Sequence, residues 1–219
     1  MSKLVNQRVL LLAELVHTSN FRGVTQVIPT FCSLAIHYNP LHVGYDAMVE
    51  ELVKLNEMID SGSGEALSKG RKIVLPIVYG GERGPDLEYV AEQTGMLKED
   101  VIRLHAANTY FIYMLGVIGS FPYCGDLDSS IALKRRTSPR IRVEKGSVAI
   151  ANLQTIVIPV ASPSGWHIIG WTPMETFNPE LDPPSIFLPG DHIKFEPISA
   201  VEAENWNETK QREWNERWN

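Results

Sequence analysis

Five basic side chains, Lys134, Arg135, Arg136, Arg140 and Arg142, crowd one short stretch of a 219-residue chain whose formal net charge is −6. A guanidinium presents a planar fork of N–H donors that matches a carboxylate or phosphate in bidentate fashion. In an acidic protein such a cluster reads as an anion-facing loop, able to hold a carboxylate substrate or to dock on an acidic partner. A solvated loop rich in surface charge is the plainer alternative, above all for Lys134, Arg135 and Arg136. His105 could serve as a general base, since imidazole titrates near neutrality. It shares a helix face with apolar residues, however, where a hydrogen-bonded structural histidine is the plainer reading. Tyr123, Gln154 and Trp166 come from separate β-type segments. Brought together by loops, an aromatic wall with an amide would make a small-ligand pocket; alternatively Trp166 is barrel core.

Other chemistries are missing from the sequence. It contains no GxxxxGK[ST] phosphate loop, no GxSxG elbow and no HExxH helix. Cys32 and Cys124 are far apart and lack metal-ligand spacing, so no metal site is expected and both read as small buried hydrophobes in a reducing cytoplasm. The acidic balance argues against a nucleic-acid partner, which would need a basic face. No segment approaches the roughly 20 uninterrupted apolar residues that span a bilayer, so no membrane partner is expected. The early apolar run from Val9 to Val16 is broken by Glu14 and lacks the cleavage site of a signal peptide.

The positioning elements follow from periodicity. Leu4, Leu11, Leu12, Leu15 and Val16 recur at helical spacing, so the chain is expected to open on an amphipathic helix. Residues 24–28 read as a strand closed by Pro29, which cannot donate to a ladder. Leu34, Ile36 and Tyr38 alternate with Ala35 and His37 as a second strand, stopped by the Asn39-Pro40 turn signal. Tyr45, Met48, Val49, Leu52, Leu55, Asn56 and Ile59 outline a second helix, released at Ser61-Gly62-Ser63-Gly64, and residues 73–79 read as a third strand. This order is a split β-α-β sandwich without its first strand.

Gly80-Gly81 is read as the domain boundary. Pro85, Asp86 and Glu88 suit the positive first turn of a helix, with Leu87, Val90 and Ala91 as its apolar face and Gly95 as its C-cap. A further short helix over residues 99–107 carries Val101, Ile102 and His105. Beyond it, short runs at 110–116, 147–151, 155–160, 166–171 and 192–196 predict a small closed or nearly closed β-barrel. After Ser199 a polar, helical tail places Trp214 and Trp218 one turn apart, where packing on the body is expected. The expected class is therefore α+β. It comprises a small α/β domain over residues 1–80, a barrel domain over 81–199 and a tail over 200–219.

The motif Tyr79-Gly80-Gly81-Glu82-Arg83-Gly84-Pro85-Asp86-Leu87 is followed, in order, by Val101-Ile102-Arg103-Leu104-His105 and Phe121-Pro122-Tyr123. Thr137-Ser138-Pro139-Arg140-Ile141-Arg142-Val143, Gly146-Ser147-Val148-Ala149-Ile150, Gln154-Thr155, Ser162-Pro163-Ser164-Gly165-Trp166, Ile169-Gly170-Trp171-Thr172-Pro173 and Leu188-Pro189-Gly190-Asp191 complete the series. Together they resemble the two-part allophanate-hydrolase-like family, which takes in the B subunit of 5-oxoprolinase, the first subunit of allophanate hydrolase and the kinase inhibitor KipI. The resemblance implies a carboxyltransferase-type chain with a cyclophilin-like barrel, and it singles out Arg140 and Arg142 within the motif.

By resemblance the expected activity is that of the B subunit of an ATP-dependent 5-oxoprolinase, a cytoplasmic heteromer that opens 5-oxoproline to glutamate. Its implied partners are a sister subunit, like the C subunit of 5-oxoprolinase, and a third subunit. ATP is used by the assembly, with no cofactor bound by this chain alone. The alternatives are a KipI-like inhibitor of a sensor histidine kinase, or a subunit of an allophanate hydrolase or urea carboxylase-type enzyme. Several positions depart from the family pattern. The leading strand is absent before the first helix, so an unpaired sheet edge is expected. The glycine loop reads Gly116-Val117-Ile118-Gly119-Ser120-Phe121, Asn152-Leu153 replaces a glycine pair, Ile156-Val157-Ile158-Pro159 replaces Gly-Ile-Tyr-Pro, and Ser164 replaces a glycine.

Overall fold

The computed structural model describes residues 2–61, 70–116 and 118–218. The Gly62-Ser63-Gly64 release expected after the second helix lies outside these. The chain divides into two compact units, Met1–Gly70 and Arg71–Asn219.

In the first unit, helices α1 (Lys3–Thr18) and α2 (Tyr45–Asp60) flank the antiparallel pair β1 (Val24–Pro29) and β2 (Leu34–Tyr38). Ser2 caps α1 by accepting a hydrogen bond from the Val5 amide, which satisfies one of the orphan donors of the first turn. Ala13, Val16, Val27 and Leu55 form a small core. The buried face of α1 is Asn6, Val9, Leu10, Ala13 and Val16, rotated from the expected one, and Leu4 is 80% exposed. Asn6 occupies this face because its amide donates to the carbonyls of Thr30 and Phe31 at 2.9 and 3.2 Å. Arg8 ties the two helices together through Asp60 at 2.7 Å and Asn56.

The second unit is built on a closed barrel. In order around it run β10 (His167–Trp171), β3 (Lys72–Tyr79), β11 (His192–Pro197), β4 (Thr109–Leu115), β5 (Pro122–Cys124), β8 (Gln154–Val157) and β7 (Ser147–Ala151), with β7 closing on β10. Among the described residues of the barrel, β3 and β11 pair in parallel and the other neighbours are antiparallel. A short ribbon outside the barrel pairs β6 (Arg140–Val143) with β9 (Ser162–Ser164). Helices α3 (Leu87–Thr94) and α4 (Lys98–Ala107) contribute Leu87, Val90, Ala91 and Val101 to the main core, beside Leu75, Ile77, Ile112, Ile150, Ile169 and Phe195. Each large side chain among them contributes about 1.5–3 kcal/mol through burial. Gly95 ends α3 in the left-handed conformation, as its position predicts.

The domain boundary differs from the expectation. It falls at Gly70 rather than Gly80, because β3 pairs along its length with β11 and belongs to the barrel, not to the N-terminal sheet. The first unit therefore has two described strands rather than three. After Lys72 the sequence of β3 is continuously apolar because both its faces are covered. Ile73, Leu75 and Ile77 enter the main core, while the Trp214 indole donates to the Val74 carbonyl at 2.7 Å. Trp214 comes from the tail, which is helical over α5 (Ala200–Glu204) and α6 (Glu208–Trp218). Its ring meets those of Trp206 and Trp218 at 5.7 and 6.1 Å. Cys124 is buried, whereas Cys32 is exposed, contrary to the expectation of two buried thiols. No helix among the described residues is long and apolar enough to cross a membrane.

His105 lies inside this core and is fully buried. Its Nε2 is 2.9 Å from Thr155 Oγ1, which itself donates to the Ala149 carbonyl, and its Nδ1 is 2.7 Å from the Tyr79 hydroxyl. That network assigns the proton to Nε2, with Nδ1 accepting from Tyr79. Phe195 stacks on the ring at 4.6 Å. Burial, aided by the positive charge of Lys194, lowers the His105 pKa to about 3. With both nitrogens engaged and no solvent access, His105 is a structural residue and not the general base considered from sequence. A depressed folded-state pKa means that the unfolded chain binds a proton the folded chain refuses. The neutral histidine is thus fully tolerated above about pH 6.5, and stability falls as pH drops from there toward the folded value. Denaturant titrations should show a loss of about 2 kcal/mol from this residue between pH 7 and pH 5, and His105→Gln should flatten that slope.

Candidate functional site

A buried carboxylate sets the position of the basic loop. Asp86 stands at the N-cap of α3 but its side chain does not cap the helix. It is 3% exposed and accepts the Arg140 fork at 2.7 and 2.8 Å, Arg136 at 3.0 Å and the Ile168 amide at 2.7 Å. Sequence reasoning placed Asp86 on the helix dipole and overlooked this role. The loop before it is laid against β10, where the Gly80 amide donates to the Ile169 carbonyl and the Asp86 amide to the Ile168 carbonyl. Gly84 is required by that approach: a Cβ there would stand 2.2 Å from the Ile169 carbonyl oxygen. The basic loop is anchored again where the Arg136 amide donates to the Gly165 carbonyl at 2.8 Å.

This anchoring places Arg135 over an aromatic groove. The guanidinium carbon lies 5.4 Å from the centre of the Trp166 ring, within cation–π range. Tyr123 meets Trp166 edge-on at 6.2 Å, and Phe121 stacks on Tyr123 at 6.5 Å. With Ile156 and Ser162 these residues line a groove of about 350 Å³, a volume within the range of small-molecule sites. The Ser162 hydroxyl oxygen is buried with no hydrogen-bond partner among the described residues. An aromatic floor and one cation suit a small, flat anion.

Of the six residues singled out from sequence, two come together here, Tyr123 and Trp166. Gln154 does not join them; it follows the β7–β8 hairpin turn, opposite Ala151. Arg140 faces inward to Asp86, so it holds the fold rather than a substrate. Arg142 is exposed and paired with Glu144 at 2.8 Å. His105 is in the barrel interior. Arg135 and Ser162 are the residues that sequence reasoning missed: the first was set aside as surface charge, and the second was one letter of a motif. Among the described residues, no cluster of histidine, cysteine or acidic side chains could hold a metal ion.

The barrel with its appended helices and basic loop defines an α+β chain of the carboxyltransferase type. Residues 1–187 match the family described as carboxyltransferase domain, subdomain C and D, and the chain belongs to that family. It is 37% identical over 212 residues to a Bacillus subtilis protein named as the B subunit of 5-oxoprolinase, covering 93% of this chain and 88% of that protein. The solved structure of TTHA0988 superposes with a TM-score of 0.79 at 28% identity, over 91% of this chain. This chain spans only 38% of the length of TTHA0988. The urea carboxylase of Kluyveromyces lactis shares the fold, with a TM-score of 0.72 at 17% identity over 93% of this chain and 20% of that one.

Removing the central carboxylate leaves two half-buried arginines without their counter-ion and the buried Ile168 amide without its acceptor. Asp86→Ala should destabilise the second unit by about 3–5 kcal/mol, read as a shift in the denaturation midpoint. Arg140→Ala, which leaves Arg136 on Asp86, should cost less, about 1–3 kcal/mol. Equal losses for the two variants would contradict the shared-carboxylate arrangement.

Proposed function

We propose that this chain is the B subunit of an ATP-dependent 5-oxoprolinase, working in a heteromer with a sister subunit of the C type and a third subunit. The observation that carries the reading is the 37% identity to a protein of that name over nearly the whole of both chains. The aromatic groove supports it chemically. A five-membered lactam is flat enough to lie against Trp166 and Tyr123. Its carboxylate matches the Arg135 guanidinium on the rim of the groove.

The chain contains no glycine-rich phosphate loop, and the described residues of its groove include no acid–base pair. Activation of the lactam by ATP therefore falls to other subunits of the proposed assembly. The role of this chain is to bind and orient the ring and to keep water from the reacting carbonyl. Holding a substrate in one pose is worth several orders of magnitude in rate even where the holding residues do no bond chemistry.

The test is 5-oxoproline-dependent phosphate release from ATP by the co-purified subunits, with and without this chain. Turnover should require it, and turnover independent of it would sink the proposal. Within the active assembly, Trp166→Ala should lower kcat/KM about tenfold or more, and Arg135→Met should raise KM about tenfold with little change in kcat.

A further inference from the structure

The helices of the first unit leave apolar surface uncovered. The cluster beneath them is small, built on Ala13, Val16, Val27 and Leu55. Above it Leu4 is 80% exposed, Tyr45 70% and Val53 51%, and Val49 is exposed as well. Helical spacing gathers these side chains into two rows. Leu4, Arg8, Leu11 and Leu15 follow one another on α1 by four, three and four residues, which keeps them on one face. Tyr45, Val49, Val53, Asn56 and Asp60 do the same on α2, by four, four, three and four. Arg8 joins the rows, bonding to Asn56 at 2.9 Å and to Asp60 at 2.7 Å. That contact ties the start of α1 to the end of α2, so the helices run antiparallel with their apolar rows side by side. A contiguous apolar seam open to solvent marks an interaction surface, whereas single exposed leucines do not.

Charge selects the occupant of the seam. The α2 helix carries Asp46, Glu50, Glu51, Glu57 and Asp60 against Lys54. The α1 helix carries Lys3 and Arg8 against Glu14. A twofold axis parallel to the helices lays α1 of each copy over α2 of the other, so the basic helix meets the acidic one in both halves of the contact. A twofold across the helices would lay α2 on α2 and set acid against acid. Each helix has 16 residues, a length of about 24 Å, and neighbouring helices pack about 10 Å apart. The face therefore measures about 24 by 20 Å on each copy, which over two copies approaches the roughly 1,000 Å² that a specific interface needs.

We propose that α1 and α2 form the contact between two copies of this chain, a face-to-face dimer in which four helices enclose the apolar seam. Leu4 of one copy then lies by the end of α2 of the other, next to its Glu57 and Asp60, and Tyr45 lies by the end of α1. The contact uses residues of the first unit alone and does not depend on the oxoprolinase reading.

Sedimentation equilibrium of the full chain over a range of concentrations tests the proposal. The mass should be that of two chains and should fall toward one on dilution. Leu4→Glu adds a carboxylate beside the acidic end of the opposing α2 and should raise the dimer Kd about a hundredfold or more. Leu4→Lys keeps the facing charges opposite and should raise it less than about tenfold. Both changes fall on a largely exposed side chain, and circular dichroism should show each variant to be as helical as the parent. Leu181→Glu, at an exposed leucine of the second unit, should leave the Kd within about twofold. A single chain at every concentration would overturn the proposal. So would equal losses for Leu4→Glu and Leu4→Lys, or a dimer that Leu181→Glu breaks and Leu4→Glu does not. A chain that stays single alone, and joins co-purified subunits through a contact that Leu4→Glu breaks, would assign the seam to another protein and equally refute it.

Discussion

One buried carboxylate organises the surface of the barrel. Asp86 gathers Arg136, Arg140 and the Ile168 amide around its two oxygens, so three segments distant in sequence meet at a single charge. Desolvating a carboxylate is costly, and the cost is offset only when its acceptor positions are filled with good geometry. Here they are filled by a bidentate fork, a second guanidinium and a backbone amide. The consequence reaches the aromatic groove. With Arg136 and Arg140 drawn to Asp86, the loop leaves Arg135 exposed over Trp166 at the groove.

The family's motif glycines and their replacements follow the same logic of close approach. Gly84 survives because β10 leaves no room for a Cβ. Asn152, by contrast, stands where the family pattern has glycine and adopts a left-handed φ of 52°, which asparagine tolerates better than most residues. Ser164 replaces another glycine in a strand of ordinary conformation, where its hydroxyl accepts from the Trp166 amide at 3.2 Å. Of these two positions Ser164 lines the groove and Asn152 does not.

Much of the fold was legible in the sequence because its elements are locally consistent. The two N-terminal helices, both N-terminal strands and α3 all followed from periodicity and turn residues. The strands β5, β6 and β9 did not, since three or four residues carry too little alternation to register. The boundary was misplaced because a strand's sequence does not say which sheet it joins: β3 is apolar from Ile73 onward and would suit either. The site was less legible still. A charge run shows which residues are cationic but not which of them a distant carboxylate will claim, so Arg140 looked available and Arg135 did not. His105 illustrates the same limit, since only the surrounding Tyr79 and Thr155 reveal that both of its nitrogens are spoken for.

The parallel pairing of β3 with β11 also has a temporal side. Residues 72–77 find their partners at 192–197, so the barrel's closing seam joins segments separated by most of the second unit. Loop closure over that span must precede the contacts that reward it, which slows folding relative to a chain of local hairpins. During synthesis, β3 emerges from the ribosome before either of its neighbours, β10 and β11, exists, with a largely apolar strand exposed along both edges. Until β11 is made, at least one of those edges is open to pairing with other chains. The nascent protein is thus most at risk of misassembly in the interval between completing α4 and releasing its C-terminus.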